Sequence, residues 1–192
     1  MLRRNLFSEE FVGVISGSAR GLKLISPDGI KTRPTLDRVK EALFSMLYPY
    51  LNGSLILDLF AGSGALGIEA LSRGADKSYF IDNSNEAITC INSNITAAKF
   101  NENSVVVKTD AIEFLKNSKQ KFDIIFLDPP YAEGLYEVAI KMISENQILK
   151  SDGLIVIEQD LELEPIKNFD QAFEVFKEKK YGRVGITVLK WR

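Results

Sequence analysis

From Ser54 onward, apolar runs of strand length alternate with segments whose apolar residues recur at three and four. That is the pattern of a parallel sheet with helices on both faces. The runs predict strands over Leu55–Leu59, Ser78–Ile81, Ser104–Lys108, Ile124–Leu127, Leu154–Glu158, Ala172–Lys177 and Gly185–Leu189. Helices are expected over Ala65–Arg73, Asn85–Lys99, Ala111–Asn117 and Leu135–Asn146, with Ser84 and Asp110 as N-caps. A short connection through Tyr181-Gly182-Arg183 joins the last two strands, so a hairpin is expected there and the final strand runs antiparallel to its neighbours.

Upstream, Phe11–Ser16 and Leu22–Ser26 read as two short strands around Gly17-Ser18-Ala19-Arg20-Gly21. Thr35 then caps a helix whose Leu36, Val39, Leu43, Met46 and Leu47 form one buried face, opposite Arg38 and Glu41. The expected fold is α/β: a seven-stranded, mostly parallel sheet with helices on both faces. A small N-terminal β-hairpin extension over residues 1–34 precedes a main domain over residues 35–192.

A length of 192 residues suits one such domain plus an appendage. No run approaches the roughly 18 apolar residues of a membrane span, and Glu9 and Glu10 follow Arg3 and Arg4 too soon for a signal-peptide core. A cytoplasmic protein is expected. One cysteine, Cys90, excludes an internal disulfide; its place in a helical pattern makes it a buried structural thiol. No histidine is present, so the commonest general base and metal ligand is missing, and no metal centre is expected.

The net charge of −2 argues weakly against a nucleic-acid partner, but the distribution of charge points the other way. Residues 1–40 hold eight Lys/Arg against four Asp/Glu and residues 177–192 six against one, whereas residues 41–176 hold ten against twenty-one. Basic ends beside an acidic body suit phosphate contacts next to a catalytic centre; solvated surface lysines are the plainer alternative.

Two motifs carry chemistry. Asp58-Leu59-Phe60-Ala61-Gly62-Ser63-Gly64-Ala65-Leu66-Gly67 follows a strand and opens a helix. Gly62 and Gly64 let the backbone turn tightly against a ligand, and Gly67 lets helix and sheet pack closely. With Asp82 placed for ribose hydroxyls, the loop indicates an adenosine-type cofactor without choosing between a nicotinamide dinucleotide and S-adenosylmethionine.

The second motif makes the choice. Asp128-Pro129-Pro130-Tyr131 sits at the carboxyl end of a strand, the edge at which open α/β sheets bind ligands. An exocyclic amine on a purine is a poor nucleophile because its lone pair is delocalised into the ring. Acceptors that hold both N–H hydrogens, here the Asp128 carboxylate and the Pro129 carbonyl, turn that lone pair toward an incoming methyl group. Two prolines stiffen the turn, and Tyr131 stacks on an extruded base.

Asp58 to Gly64 resembles motif I of the class I S-adenosylmethionine methyltransferases, and Asp128 to Tyr131 resembles the signature of amino-group methylases. Val14-Ile15-Ser16-Gly17, Arg20 to Leu24, Thr32 to Phe44 and Tyr181-Gly182 extend the resemblance over nearly the whole chain. They point to the RsmD family of bacterial small-subunit ribosomal RNA guanine-N2 methyltransferases. Tyr131, where that family more often has Phe, and Asp82, where it often has Glu, are departures that keep the chemistry.

The resemblance implies that Asp58, Phe60, Ala61, Gly62, Ser63 and Gly64 border the methionine and ribose of S-adenosylmethionine. It places Asp82 at the ribose hydroxyls and Asp110 and Ala111 at the adenine, with Asn83 a further cofactor-binding candidate, although Asp110 also reads as a helix cap. Arg20, Lys23, Arg33, Arg38, Lys180 and Arg183 are candidates for RNA phosphates, with exposed or internally paired charge as the alternative. Glu158 ends its strand at the same edge without an assigned role.

The expectation is methyl transfer to N2 of a flipped guanine in 16S ribosomal RNA or a partly assembled small subunit, by a monomer. Adenine-N6 methylation of DNA or RNA is the nearest alternative. A nicotinamide oxidoreductase would leave Asp128 to Tyr131 idle, and cytosine-C5 chemistry needs a nucleophilic cysteine that Cys90 does not supply. An RNA-binding module without catalysis is the remaining reading.

Overall fold

The computed structural model describes residues 12–27, 34–129, 134–162 and 169–192. Within these, β1 (Val12–Gly13) and β2 (Lys23–Leu24) make a small antiparallel pair, followed by α1 (Pro34–Leu51). The main sheet then alternates β3 (Leu55–Asp58), α2 (Ala65–Ser72), β4 (Lys77–Asp82), α3 (Asn85–Ala98), β5 (Ser104–Lys108), α4 (Ala111–Asn117), β6 (Phe122–Leu127) and α5 (Leu135–Glu145). It ends with β7 (Leu149–Asp160), β8 (Phe173–Tyr181) and β9 (Val184–Trp191). The seven strands stand in the order β5-β4-β3-β6-β7-β9-β8. All pairs are parallel except those of β9, which inserts antiparallel between β7 and β8. The expected seven-stranded sheet with an antiparallel last strand is therefore what the chain forms.

Strand alternation sorts the core into two layers. On one face Ile56, Ile124, Phe126, Leu154 and Val156 pack against α1, α2 and α3 through Leu43, Phe44, Ile68 and Ile91. On the other, Leu57, Ile125, Leu127, Ile155 and Ile157 meet α4 and α5 through Leu115, Ile140 and Ile143. A sheet covered on both faces needs no polar stripe, which is why its central strands read as continuous apolar runs.

The N-terminal extension is held by a feature that periodicity did not predict. Glu69, in the middle of α2, is fully buried. Its carboxylate accepts from Ile15 N at 2.8 Å, Ser16 N at 3.1 Å and Arg73 Nε at 2.7 Å, with Lys40 Nζ at 3.4 Å. Lys40 also donates to the Gly13 carbonyl; burial lowers its pKa, and the charge of Glu69 opposes that shift. Ser72 completes the clasp: its carbonyl accepts from Ser18 N at 2.8 Å, and its hydroxyl donates to Ser16 O at 2.6 Å. Backbone and α2 come so close here that a Cβ on Gly17, at φ +86, would lie 1.7 Å from Ser72 O.

This clasp explains why the extension's strands are shorter than expected. The amides of Ile15 and Ser16 pair with Glu69 rather than with a neighbouring strand, so the ladder is confined to Val12↔Leu24 and Gly13↔Lys23. Phe11, Arg33 and the side chains of Thr35 and Leu36 lie outside the described residues. Pro34 opens α1, a position where a missing N–H costs nothing. β7 begins five residues before the expected Leu154, and its pairing with β6 shifts between Phe122 and Ile124.

Removing one partner of a buried, hydrogen-bonded charge network is strongly destabilising because the others stay desolvated. Glu69→Ala is therefore expected to lower unfolding stability by about 3–5 kcal/mol. Glu41→Ala, which removes an exposed partner of Arg73, should lower it by less than about 1 kcal/mol. Urea denaturation of the two variants measures the difference.

Candidate active site at the carboxyl edge of the sheet

The chain leaves β3 toward β4 and β5 on one side, and the later strands build outward from β6 on the other. β3 and β6 are thus neighbours whose connections depart in opposite directions, which opens a crevice at their carboxyl ends. Asp58 and Phe126 are in register, and Leu59 N donates to Phe126 O at 3.2 Å. The glycine turn after β3 and the Asp128-Pro129 turn after β6 consequently lie side by side at one edge. Pro130 and Tyr131 fall outside the described residues.

The glycine turn is built for close approach. Gly62 (φ +54) has nothing within 4 Å of where a Cβ would stand, so its outer side is open, whereas Gly64 (φ +76) faces the Phe80 ring at 3.3 Å. A Cβ on Gly67 would lie 2.3 Å from the Phe80 ring, and this is how α2 comes to rest directly on β4. Asp58, buried beneath the turn, accepts from Gly67 N at 3.0 Å. Asp82 accepts from Gly62 N and from Ser84 N, both at 2.9 Å, and thereby fixes the turn from the end of β4. Ala61 N bonds to Ile81 O at 3.0 Å.

Asp110 caps α4, one oxygen accepting from Ile112 N at 2.9 Å and Glu113 N at 3.1 Å; Ala111 is buried beside it. Phe60 is half-buried, Ser63 buried and Asn83 exposed.

Asn94, which no motif or period in the sequence singles out, ties the turn to the N-terminal extension. Its side-chain amide donates to Ser63 O and to Ile25 O, both at 2.8 Å, and its carbonyl accepts from Ile25 N at 2.9 Å. A polar residue spaced like its neighbours in a helix gives no sign of such a role. Beside it, Ser26, Pro27, Asn85, Glu86, Thr89 and Cys90 line a groove of about 370 Å³. Cys90 is half-buried at that groove rather than sealed in the core, where its helical position was expected to put it.

Electrostatically the edge is crowded with acid. Burial raises Asp58 to about 7, with the charge of Asp82 adding to the effect and the Gly67 amide opposing it. Desolvation and then the charge of Asp58 raise Asp128 to about 7, while burial and then the charge of Asp128 raise Glu158 to about 8. Asp128 nonetheless keeps a solvent-exposed surface. No group of three or more His, Cys, Asp or Glu among the described residues is placed to hold a metal. No described helix is long and apolar enough to cross a membrane.

Of the basic candidates, Arg20, Lys23, Arg38 and Lys180 are exposed. Arg183 is engaged within the chain: its Nε donates to Asp160 at 2.9 Å, Nη2 bonds to the same oxygen, and Glu162 lies 3.7 Å from Nη1.

The model of the family described as conserved hypothetical protein 95 matches residues 12–190. The chain is 39% identical over 176 residues to ribosomal RNA small subunit methyltransferase D of Haemophilus influenzae, covering 90% of each chain. This chain belongs to that family. It is also 42% identical over 182 residues to YlbH of Bacillus subtilis, covering 93% of this chain and 98% of that protein. The solved structure of yhhF from Escherichia coli superposes with a TM-score of 0.86 at 33% identity, covering 95% of this chain and 98% of that one. The family resemblance and the fold expected from the residues are both borne out.

An acid whose pKa is raised by folding contributes stability that is complete below its unfolded pKa and is lost as pH climbs through the folded value. For Asp58 that window runs from 3.8 to about 7. Asp58→Asn keeps an oxygen for the Gly67 amide and removes the charge. In thermal unfolding between about pH 5 and about pH 8.5, the wild type should lose Tm toward the alkaline end. The variant should show a visibly flatter profile.

Proposed function

We propose that this protein transfers the methyl group of S-adenosylmethionine to the exocyclic N2 amine of a guanine in small-subunit ribosomal RNA. The observation that carries the reading is the adjacency of the open glycine turn after β3 and the Asp128-Pro129 turn after β6. The first turn would hold the cofactor and the second the amine, side by side at one edge. That relatives of this chain bear the name ribosomal RNA small subunit methyltransferase D supports the substrate class.

The residues fit the cofactor. The open side of Gly62 is a cradle that any Cβ would fill. The two oxygens of Asp82 each keep a lone pair for ribose hydroxyls after accepting from Gly62 and Ser84. Phe60, Ala61, Ser63 and Gly64 line the same turn, with Asn83 beside Asp82 and with Asp110 and Ala111 at the adenine end. S-adenosylmethionine supplies an already activated, electrophilic methyl carbon, so the chain's own task is positioning and electrostatics.

Asp128 and the Pro129 carbonyl accept the two N2 hydrogens and turn the lone pair toward the methyl carbon. As the activated methyl group replaces one N2 hydrogen, Asp128 would take up the surplus N2 proton. A carboxyl near 7 is suited to that transfer at neutral pH. Pro130 stiffens the turn and Tyr131 stacks on the extruded base. Phosphates of the RNA meet Arg20, Lys23, Arg33, Arg38 and Lys180; Arg20 and Lys23 stand on the segment whose Ile15, Ser16 and Ile25 are held by Glu69 and Asn94.

Asp128→Ala is expected to reduce methyl transfer by at least about 10²–10³-fold. Binding of S-adenosylhomocysteine should stay within about threefold of wild type, as measured by calorimetry, because Asp128 holds the amine rather than the cofactor. Tritiated methyl transfer to small-subunit particles, followed by nucleoside analysis, should yield N2-methylguanosine; N6-methyladenosine would establish the adenine reading instead. Replacing Arg38 by Ala should weaken RNA binding and lower the slope of log K against log salt by roughly 1, without changing the modified nucleoside.

A further inference from the structure

Glu158 lies on β7, next to β6 in the sheet, and Leu127 is in register with Ile157, so Asp128 and Glu158 are the next residues along on two adjacent parallel strands. Alternation places Asp58, Asp128 and Glu158 on the face that also carries Ile56, Phe126 and Val156. The Glu158 backbone is held in place here: its carbonyl accepts from the Tyr136 hydroxyl at 2.7 Å, and Ile186 of β9 pairs opposite. Among the described residues no hydrogen bond or ion pair is made by the carboxylates of Asp128 or Glu158. Among the described residues these two carboxylates therefore keep their acceptor capacity for hydrogens that a ligand brings.

We infer that Glu158 determines specificity for guanine by accepting the N1–H hydrogen of the target base while Asp128 and the Pro129 carbonyl hold its N2 amine. The inference rests on the function proposed above and deepens it. Adjacent strands stand about 4.8 Å apart, a spacing that lets two carboxylates reach neighbouring hydrogens on one base edge. Guanine offers three hydrogens on that edge, one on N1 and two on N2. Adenine offers two, on N6, and places an acceptor at N1, which would face the lone pairs of an ionised Glu158 without a hydrogen between them. The methylase signature holds either amine equally well, so discrimination has to come from a neighbouring group. Burial and then the charge of Asp128 raise the Glu158 carboxyl to about 8, so the ionised acceptor prevails above that pH, and a bound N1–H donor extends it to lower pH.

2-Aminopurine tests this, because it keeps the N2 amine but replaces N1–H by an acceptor. The target position is mapped first on small-subunit particles, and particles are then assembled from ligated RNA carrying guanine or 2-aminopurine there. Wild type should prefer guanine in kcat/KM by about 10²-fold or more, as expected when a buried acceptor loses its donor. Glu158→Gln, whose amide can donate to the 2-aminopurine N1, should lose most of the activity on guanine and bring the preference to within a few-fold of unity. Its binding of S-adenosylhomocysteine and its Tm should stay close to wild type. A variant that is merely misfolded would lower both substrates together and leave the ratio unchanged. If wild type makes N2-methylguanosine and Glu158→Gln keeps the wild-type preference, the role of Glu158 is overturned while the proposed function stands. If wild type makes no N2-methylguanosine, the proposed function falls and the Glu158 assignment falls with it.

Discussion

Everything at the catalytic edge depends on the parallel pairing of β3 with β6. Those two strands meet at the centre of the sheet, and because their connections leave in opposite directions, neither covers the space above their carboxyl ends. The pairing is kept by side chains that have no chemistry at all: Ile56, Leu57, Ile124, Ile125 and Phe126, each buried between the two helical layers. The Leu59 amide bonded to Phe126 O extends the ladder one step past β3 and so fixes how the two functional turns face each other.

A crevice of this kind concentrates carboxylates at some cost to the fold. Burial raises the pKa values of Asp58, Asp128 and Glu158, and the charges of Asp82, Asp58 and Asp128 respectively add to the effect. Such mutual repulsion is tolerated at functional sites because the groups are placed for what they will bind rather than for the empty state. The rigidity that keeps them in place comes from elsewhere: the Asp82 carboxylate bridging Gly62 and Ser84, the Ser84 and Asp110 caps, and the close seat of Gly67 on Phe80.

The N-terminal extension is a strap rather than an independent domain in its energetics. Its own two-residue strands are far too short to be stable alone. Glu69, Ser72 and Asn94 of α2 and α3 take up its backbone groups, and Val14 and Leu24 join the core of the main sheet. Because α2 begins at the glycine turn and Asn94 bonds that turn directly, the strap and the cofactor loop share supports. Anything that displaces one strains the other.

The alternation of strands and helices and the antiparallel last strand could be read from the chain before it was folded, and so could the position of two candidate turns at one edge of the sheet. Each of those is written locally, in a period, a cap or a run of glycines and prolines whose backbone requirements do not depend on distant partners. Glu69 and Asn94 could not be read in this way, because a polar residue in an amphipathic helix looks the same whether it faces water or an unpaired backbone several turns of chain away. Arg183 read as a phosphate contact, and only the hairpin geometry put it against Asp160. Glu158 stood without a role because a chemical partner on another strand is set by register, and register is decided by how whole strands pack, which no short stretch of sequence encodes.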